Sequence, residues 1–168
     1  MAKPTAAGKK GSAAGAPQIR PIASNRKARH DYHILEDFEC GVVLRGTEVK
    51  SIRAGRINLR DSFARVENEE IILYGVDIPP YERASYAQHA NKRPRKLLLH
   101  RREIATLIGF TAEKGCTLVA LDAYWKGQVV KIKLGVAKGK AAHDRRHDLK
   151  KRVETREAER EMARFNKG

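Results

Sequence analysis

Apolar residues in this chain recur mainly at every second position, in short runs separated by polar turns. In residues 116–137, CTLVALDAYWKGQVVKIKLGVA, Val130, Ile132 and Leu134 alternate with Val129, Lys131 and Lys133 after a Lys126-Gly127 turn. That pattern predicts a β-hairpin. Residues 63–78, FARVENEEIILYGVDI, repeat it with ENEE as the turn. YHILEDFECGVVLRG offers two further runs, about 32–38 and 39–45, and KLLLH at 96–100 a short one. Only two stretches have helical spacing: TEVKSIRAG (47–55), with Val49 and Ile52 between a Thr/Glu start and a Gly stop, and RREIATLIGF (101–110), with Ile104, Leu107 and Ile108 on one face. Six or so antiparallel strands with two short helices predict a mainly β fold. It should be a small oligonucleotide-binding-type (OB-like) barrel with flanking helices, not a βαβ fold.

The barrel should occupy residues 25–137. Residues 1–24 are rich in Ala, Gly, Lys and Pro and have little to bury, so they are expected to be disordered. From 138 to 168 the sequence favours helix, but only Leu149, Val153, Met162 and Phe165 are large and apolar. Such a tail cannot hold itself against a core and should fold when it meets a partner. The stretch YERASYAQHANKRPRK (81–96) is too long for a turn and is expected to be a functional or mobile loop.

Charge sharpens this division. The formal net charge is +15. Residues 1–30 hold seven basic side chains and no acid, residues 138–168 are net +5, and the 107 residues between are net only +3. A near-balanced body with two basic arms suits a polyanion partner, because arms can follow a phosphate backbone and release its counterions; the alternative is that they serve solubility alone. No run approaches the roughly 20 apolar residues of a membrane span, and the first 24 residues lack the apolar core of an export signal. A soluble, cytoplasmic protein with no membrane partner is expected. Cys40 and Cys116 stand apart without metal-site spacing and read as small core residues.

GVAKGKAAHDRRH (135–147) has the look of a phosphate loop, but Gly135 to Gly139 is one residue too short and Ala141 stands where a hydroxyl must hold magnesium. A glycine hinge releasing a basic arm fits better. His143 beside Asp144 suggests a base and its orienter, yet no nucleophile or metal partner is near in sequence. An imidazole stacked on a base, with Arg145 and Arg146 on phosphates, and a solvated charged helix remain the two readings. Lys92, Arg93, Arg95, Lys96, Arg101 and Arg102 form a basic patch suited to phosphate. Trp125 is either a hairpin residue or a stacking platform, while Tyr32, Tyr81, Tyr86 and Tyr124 read as half-buried barrel residues. Glu39 and Glu48 are surface carboxylates that accept from base or ribose if they meet RNA.

NRKARHDY (25–32), GTEVKSIRAG (46–55) with Asn58 and Asp61, RKLLLHRRE (95–103) and GVAKGKAAHDRR (135–146), in this order and spacing, resemble one family: the SsrA-binding proteins, partners of transfer-messenger RNA. The resemblance implies an OB-type body that catalyses nothing, needs no cofactor or metal, and binds the tRNA-like end of that RNA. It implies delivery, in a complex that includes elongation factor Tu, to the A site of a stalled 70S ribosome, where the tail passes the decoding centre and folds as a helix in the empty messenger channel. DNA is not an expected partner. Residue by residue, the resemblance carries RNA-contact roles onto Asn25, Glu39 and Leu98; with Arg26, Lys27, Arg29, His30 and Tyr32 of the first stretch and Lys92, Arg93, Arg95 and Lys96 of the basic patch, these make up the expected RNA-binding set. The expected residues of the ribosome-contacting tail are Lys138, Gly139, Lys140, His143, Asp144, Arg145, Arg146 and Met162. The chain departs from the commonest family pattern at Ala141, at Arg145 and at Glu161-Met162, where an apolar-Met pair is usual. Two competing classes predict other behaviour: a structural ribosomal protein would be present in every ribosome, and an RNA-cleaving enzyme would lose turnover on His143→Ala or Asp144→Ala.

Overall fold

A computed structural model describes residues 18–81, 89–113, 115–141, 153–160 and 162. Seven strands pair antiparallel in one sheet: β1 (Ile19–Ser24), β2 (Tyr32–Val42), β3 (Phe63–Glu67), β4 (Glu70–Tyr74), β5 (Arg95–Leu98), β6 (Cys116–Lys126) and β7 (Val129–Gly139). The order is β1-β6-β3-β4-β5-β2-β7, and β7 also pairs with β6. The six strands from β6 round to β7 therefore return on themselves in the OB-like manner expected, with β1 added to the outer half of β6. Three helices flank them: α1 (Arg26–Asp31), α2 (Gly46–Arg53) and α3 (Arg101–Ala112).

Alternation builds the core. Ile71 lies opposite Leu97, and Ala64 opposite Leu73, which in turn faces Arg95. With Ile132, Leu134 and Val136 of β7 and Leu118 and Ala120 of β6, the inward set is buried. Ile52 of α2 and Leu107 of α3 close the interior at 1% and 0% exposure, which is what the helical spacing of those segments predicted. Both hairpins form where the turns were placed. Asn68 and Glu69 take φ of 48° and 60°, and Gly127 φ of 63°, backbone states that match the twist of the flanking strands.

Four features differ from the sequence expectation. Residues 19–24 are a strand, because antiparallel pairing from Ile19↔Lys126 to Ser24↔Asp122 satisfies their backbone; residues 1–17 of the expected disordered segment lie outside the described residues. Residues 32–42 form one strand with an irregularity between Ile34 and Glu36, not two runs. Helix α1 had no apolar period to announce it. Finally, β7 runs on to Gly139, opposite Tyr32, so Lys138 and Gly139 belong to the barrel and the tail starts later than 138. Residues 153–160 are helical, with every side chain exposed.

Candidate nucleic-acid interface

Asn25 precedes α1 and is 5% exposed. Its Oδ1 accepts from the Ala28 amide at 3.0 Å, while Nδ2 donates to the carbonyls of Leu59 at 2.8 Å and Ala120 at 3.0 Å. One side chain thus caps the helix and ties it to β6 and to the loop before β3. Both of its N–H donors are consumed by backbone carbonyls, so Asn25 positions α1 in this structure. Asn25→Ala should cost about 2–3 kcal/mol, since it strands three buried backbone groups, and should weaken RNA binding by loosening α1. Urea unfolding and RNA titration of the same variant check both.

The helix so anchored turns Arg26, Lys27 and Arg29 to solvent. Lys27 pairs with Asp61 at 2.6 Å, Arg29 with Asp122, and His30 Nδ1 with Asp31 at 2.8 Å. Asp61 and Asp122 orient this cationic face; Asp61 lay within the family motif, but nothing local marked Asp122. Tyr32 packs half-buried on Ala28, Val119, Leu121 and Ala137. Beside α1, the Lys140 amide donates to Asp31 O at 3.0 Å and its Nζ to Arg29 O at 3.4 Å. The root of the tail, Lys138 to Lys140, is pinned against the helix. His143, Asp144, Arg145 and Arg146 lie outside the described residues, and Met162 is 70% exposed.

At the other end of β2, Glu39 accepts from Tyr124 Oη at 2.7 Å and from Lys126 Nζ at 2.8 and 3.1 Å, with Lys131 Nζ 3.8 Å away. The Lys126 hydrogen bond, with that of Tyr124, holds the Glu39 carboxyl below its usual range. Burial and the Glu39 contact push the Tyr124 phenol up. A carboxylate, a phenol that stays protonated and two ammonium groups therefore share one surface, bordering a trough of about 850 Å³ between β1 and β2. Leu98 stands opposite Gly41, two residues from Glu39, and is 51% exposed. A half-exposed leucine on a strand of four residues is free to meet the apolar face of a ribose or base. Lys96, on the same outward face of β5, pairs with Glu70, and Lys92 is exposed.

Arg93 and Arg95 do not belong to this surface. Glu48, taken from the sequence as a surface carboxylate, is fully buried and receives Nε of both arginines at 2.9 Å, Arg93 Nη2, and the Arg45 amide at 2.6 Å. Arg95 is 1% exposed, and it also donates to the carbonyls of Val76 at 2.6 Å, Asn91 at 2.8 Å and Arg93 at 3.0 Å. The buried cluster clamps the chain on either side of the 82–88 segment, which itself lies outside the described residues. Basic residues in a patch were read as phosphate ligands; a buried carboxylate claims these two because an unpaired charge could not stay there.

Among the described residues no three His, Cys, Asp or Glu side chains group as metal ligands. Burial pushes the Cys40 thiol up to about 12, so it carries no thiolate near neutrality. No helix is long and apolar enough to cross a membrane.

The chain has close relatives. A family model described as SmpB protein matches residues 22–164. A Carboxydothermus hydrogenoformans protein named SsrA-binding protein is 59% identical over 141 residues, which cover 84% of this chain and 95% of that one. One of the same name from Geobacillus thermodenitrificans is 56% identical over 139 residues, covering 83% and 90%. A chain of the solved structure "tmRNA-SmpB: a journey to the center of the bacterial ribosome" matches with a TM-score of 0.62 and 50% identity, over 73% of this chain and 86% of that chain.

Proposed function

The chain belongs to the SmpB protein family, and from that premise we infer how its two RNA-facing surfaces divide the work of an SsrA-binding protein. It binds transfer-messenger RNA and acts in trans-translation. The observation that supports the division is the separation of the surfaces along β2. Gly139 pairs with Tyr32 at one end, and Gly41 with Leu98 at the other. At roughly 3.3 Å per residue the two are about 30 Å apart along the strand.

The Glu39, Tyr124, Lys126, Lys131 and Leu98 surface engages the tRNA-like domain, with Lys92 and Lys96 on its phosphates. Arg26, Lys27, Arg29 and His30 of α1, held by Asn25, form the second surface. Beside it the tail leaves the barrel, so that Lys138 to Arg146 reach the decoding centre of a stalled 70S ribosome and the segment around Met162 enters the messenger channel. Elongation factor Tu completes the delivery complex, and the work is done in the cytoplasm. The barrel serves as a non-catalytic adaptor: its buried Cys40 thiol is unfit as a nucleophile, and Glu39 is tied up by Tyr124 and Lys126.

A titration against transfer-messenger RNA, an ordinary tRNA and an unrelated RNA of equal length, at two salt concentrations, tests the assignment. Phosphate attraction alone weakens steeply with salt and treats the three alike. Transfer-messenger RNA should keep its preference at the higher salt, and Glu39→Gln should erase it; three RNAs falling together would refute the reading.

A further inference from the structure

Trp125 is the only tryptophan of the chain, and neither surface above uses it. It sits in β6 directly opposite Arg20 of β1 in the strand register, so the two side chains share one side of the sheet. Arg53, the last residue of α2, lies over the indole with its guanidinium carbon 6.0 Å from the ring centroid. These three, with Gly127 and Gln128 of the β6–β7 turn, line a pocket of about 300 Å³ at the mouth of the barrel. That is the lower end of the range ligand sites occupy, roughly 300–1,000 Å³. A pocket of that size has room for one base and its phosphate, not for a duplex.

The lining contains no carboxylate. Lys27, Arg29, Lys96, Lys126, Lys131 and Lys133 each end on a carboxylate, whereas Arg20 and Arg53 have none within ion-pair reach among the described residues. Trp125 packs against the core yet keeps part of its surface at the pocket. We propose that Arg20, Arg53, Trp125 and Gln128 form a further RNA-binding site, which takes a single unpaired nucleotide. The guanidiniums grip the phosphate, the indole stacks on the base with Arg53 beside it in cation–π contact, and the Gln128 amide offers a donor and an acceptor to the base edge. The site rests on the RNA-binding reading of the chain and adds to it a place where one base is held out of any helix.

Because Trp125 is alone, its emission reports on this site. The full chain is titrated with a single-stranded RNA hexamer and with inorganic phosphate at matched phosphate concentration and ionic strength. Saturable quenching by the hexamer is expected, with Arg20→Ala and Arg53→Ala each weakening it about tenfold. Arg53→Lys, which keeps the charge but not the plane, should fall between. Equal quenching by phosphate would overturn base recognition, and quenching that is absent or unchanged in the variants would overturn the site. Transfer-messenger RNA and 70S ribosomes, added separately, identify the source of the nucleotide: the one whose binding Arg53→Ala weakens supplies it, and no weakening of either counts against the site. Gel retardation of transfer-messenger RNA beside ordinary tRNA reads the family function separately, so a preference that survives without quenching sinks this site and leaves that function standing.

Discussion

Glu48→Ala should destabilise the fold by about 3–5 kcal/mol, the cost of leaving buried charge without its partner. The carboxylate is fully buried, and it joins Arg93, Arg95 and the Arg45 amide at the start of α2. Without it, Arg95 remains sealed in the core at 1% exposure, still charged because a guanidinium does not give up its proton. The carbonyls of Val76 and Asn91, which Arg95 holds, anchor the chain that runs from β4 to β5, so the loss should reach the loop as well as the core. Urea unfolding at neutral pH measures it. The partners are coupled, so Glu48→Gln combined with Arg95→Met should cost well under the sum of the single changes; additivity would show that the pair does not act as a unit.

The same group gives a pH dependence of known sign. Burial pushes the Glu48 carboxyl up, but the Arg93 hydrogen bond, the Arg45 amide and the charges of Arg95 and Arg93 outweigh it and hold the group below its usual range. The folded state therefore binds this proton less readily than the unfolded chain does. Its contribution is fully present above the unfolded carboxylate value of about 4.3 and is lost as pH falls through the lowered native value. The stability gap between wild type and Glu48→Gln should be constant from pH 7 to about 5 and narrow below that. A gap that widens on acidification would mean that the carboxyl is raised in the fold.

Such a cluster also marks the limit of what the sequence discloses. Alternation in 63–78 and 116–137 identified both hairpins, since a half-buried strand must alternate whatever surrounds it. Ile52 and Leu107 were placed in the core by helical spacing for the same reason. Strand β1 escaped because Arg20 and Pro21 weaken its pattern and its backbone is satisfied by β6, about a hundred residues away. Arg95 escaped for a sharper reason. It sits in NKRPRK with basic neighbours, where local composition reads as surface, and only the approach of Glu48 from α2 buries it. A helix-start glutamate such as Glu48 of GTEV carries a capping signal, but nothing in that signal distinguishes an exposed carboxylate from a buried one. Asn25 escaped as well: it was expected only as an RNA contact, because α1 has no apolar period to mark it and the hydrogen bonds of Asn25 to Leu59 and Ala120 are tertiary.

Removing residues 142–168 should leave the barrel and its hold on the tRNA-like domain in place while abolishing peptide tagging. The cut must fall after Ala141. Lys138 pairs with His33 and Cys116, Gly139 with Tyr32, and the Lys140 amide with Asp31, so a deletion from 138 would shorten β7, release α1 and confuse a folding defect with a functional one. With the shorter deletion the unfolding free energy measured in urea should stay within about 0.5 kcal/mol of the full chain, because the helical residues 153–160 are wholly exposed and exposed segments add little stability. The deleted stretch carries nine basic and six acidic residues, so the salt dependence of RNA binding should flatten slightly while the preference for transfer-messenger RNA persists. Tagging on stalled ribosomes, followed by the appearance of the tag on a reporter chain, should disappear, the outcome the proposed division of labour requires. If instead the truncated, fully folded barrel loses transfer-messenger RNA, the RNA is gripped by the tail, and the two ends of β2 do not divide the work.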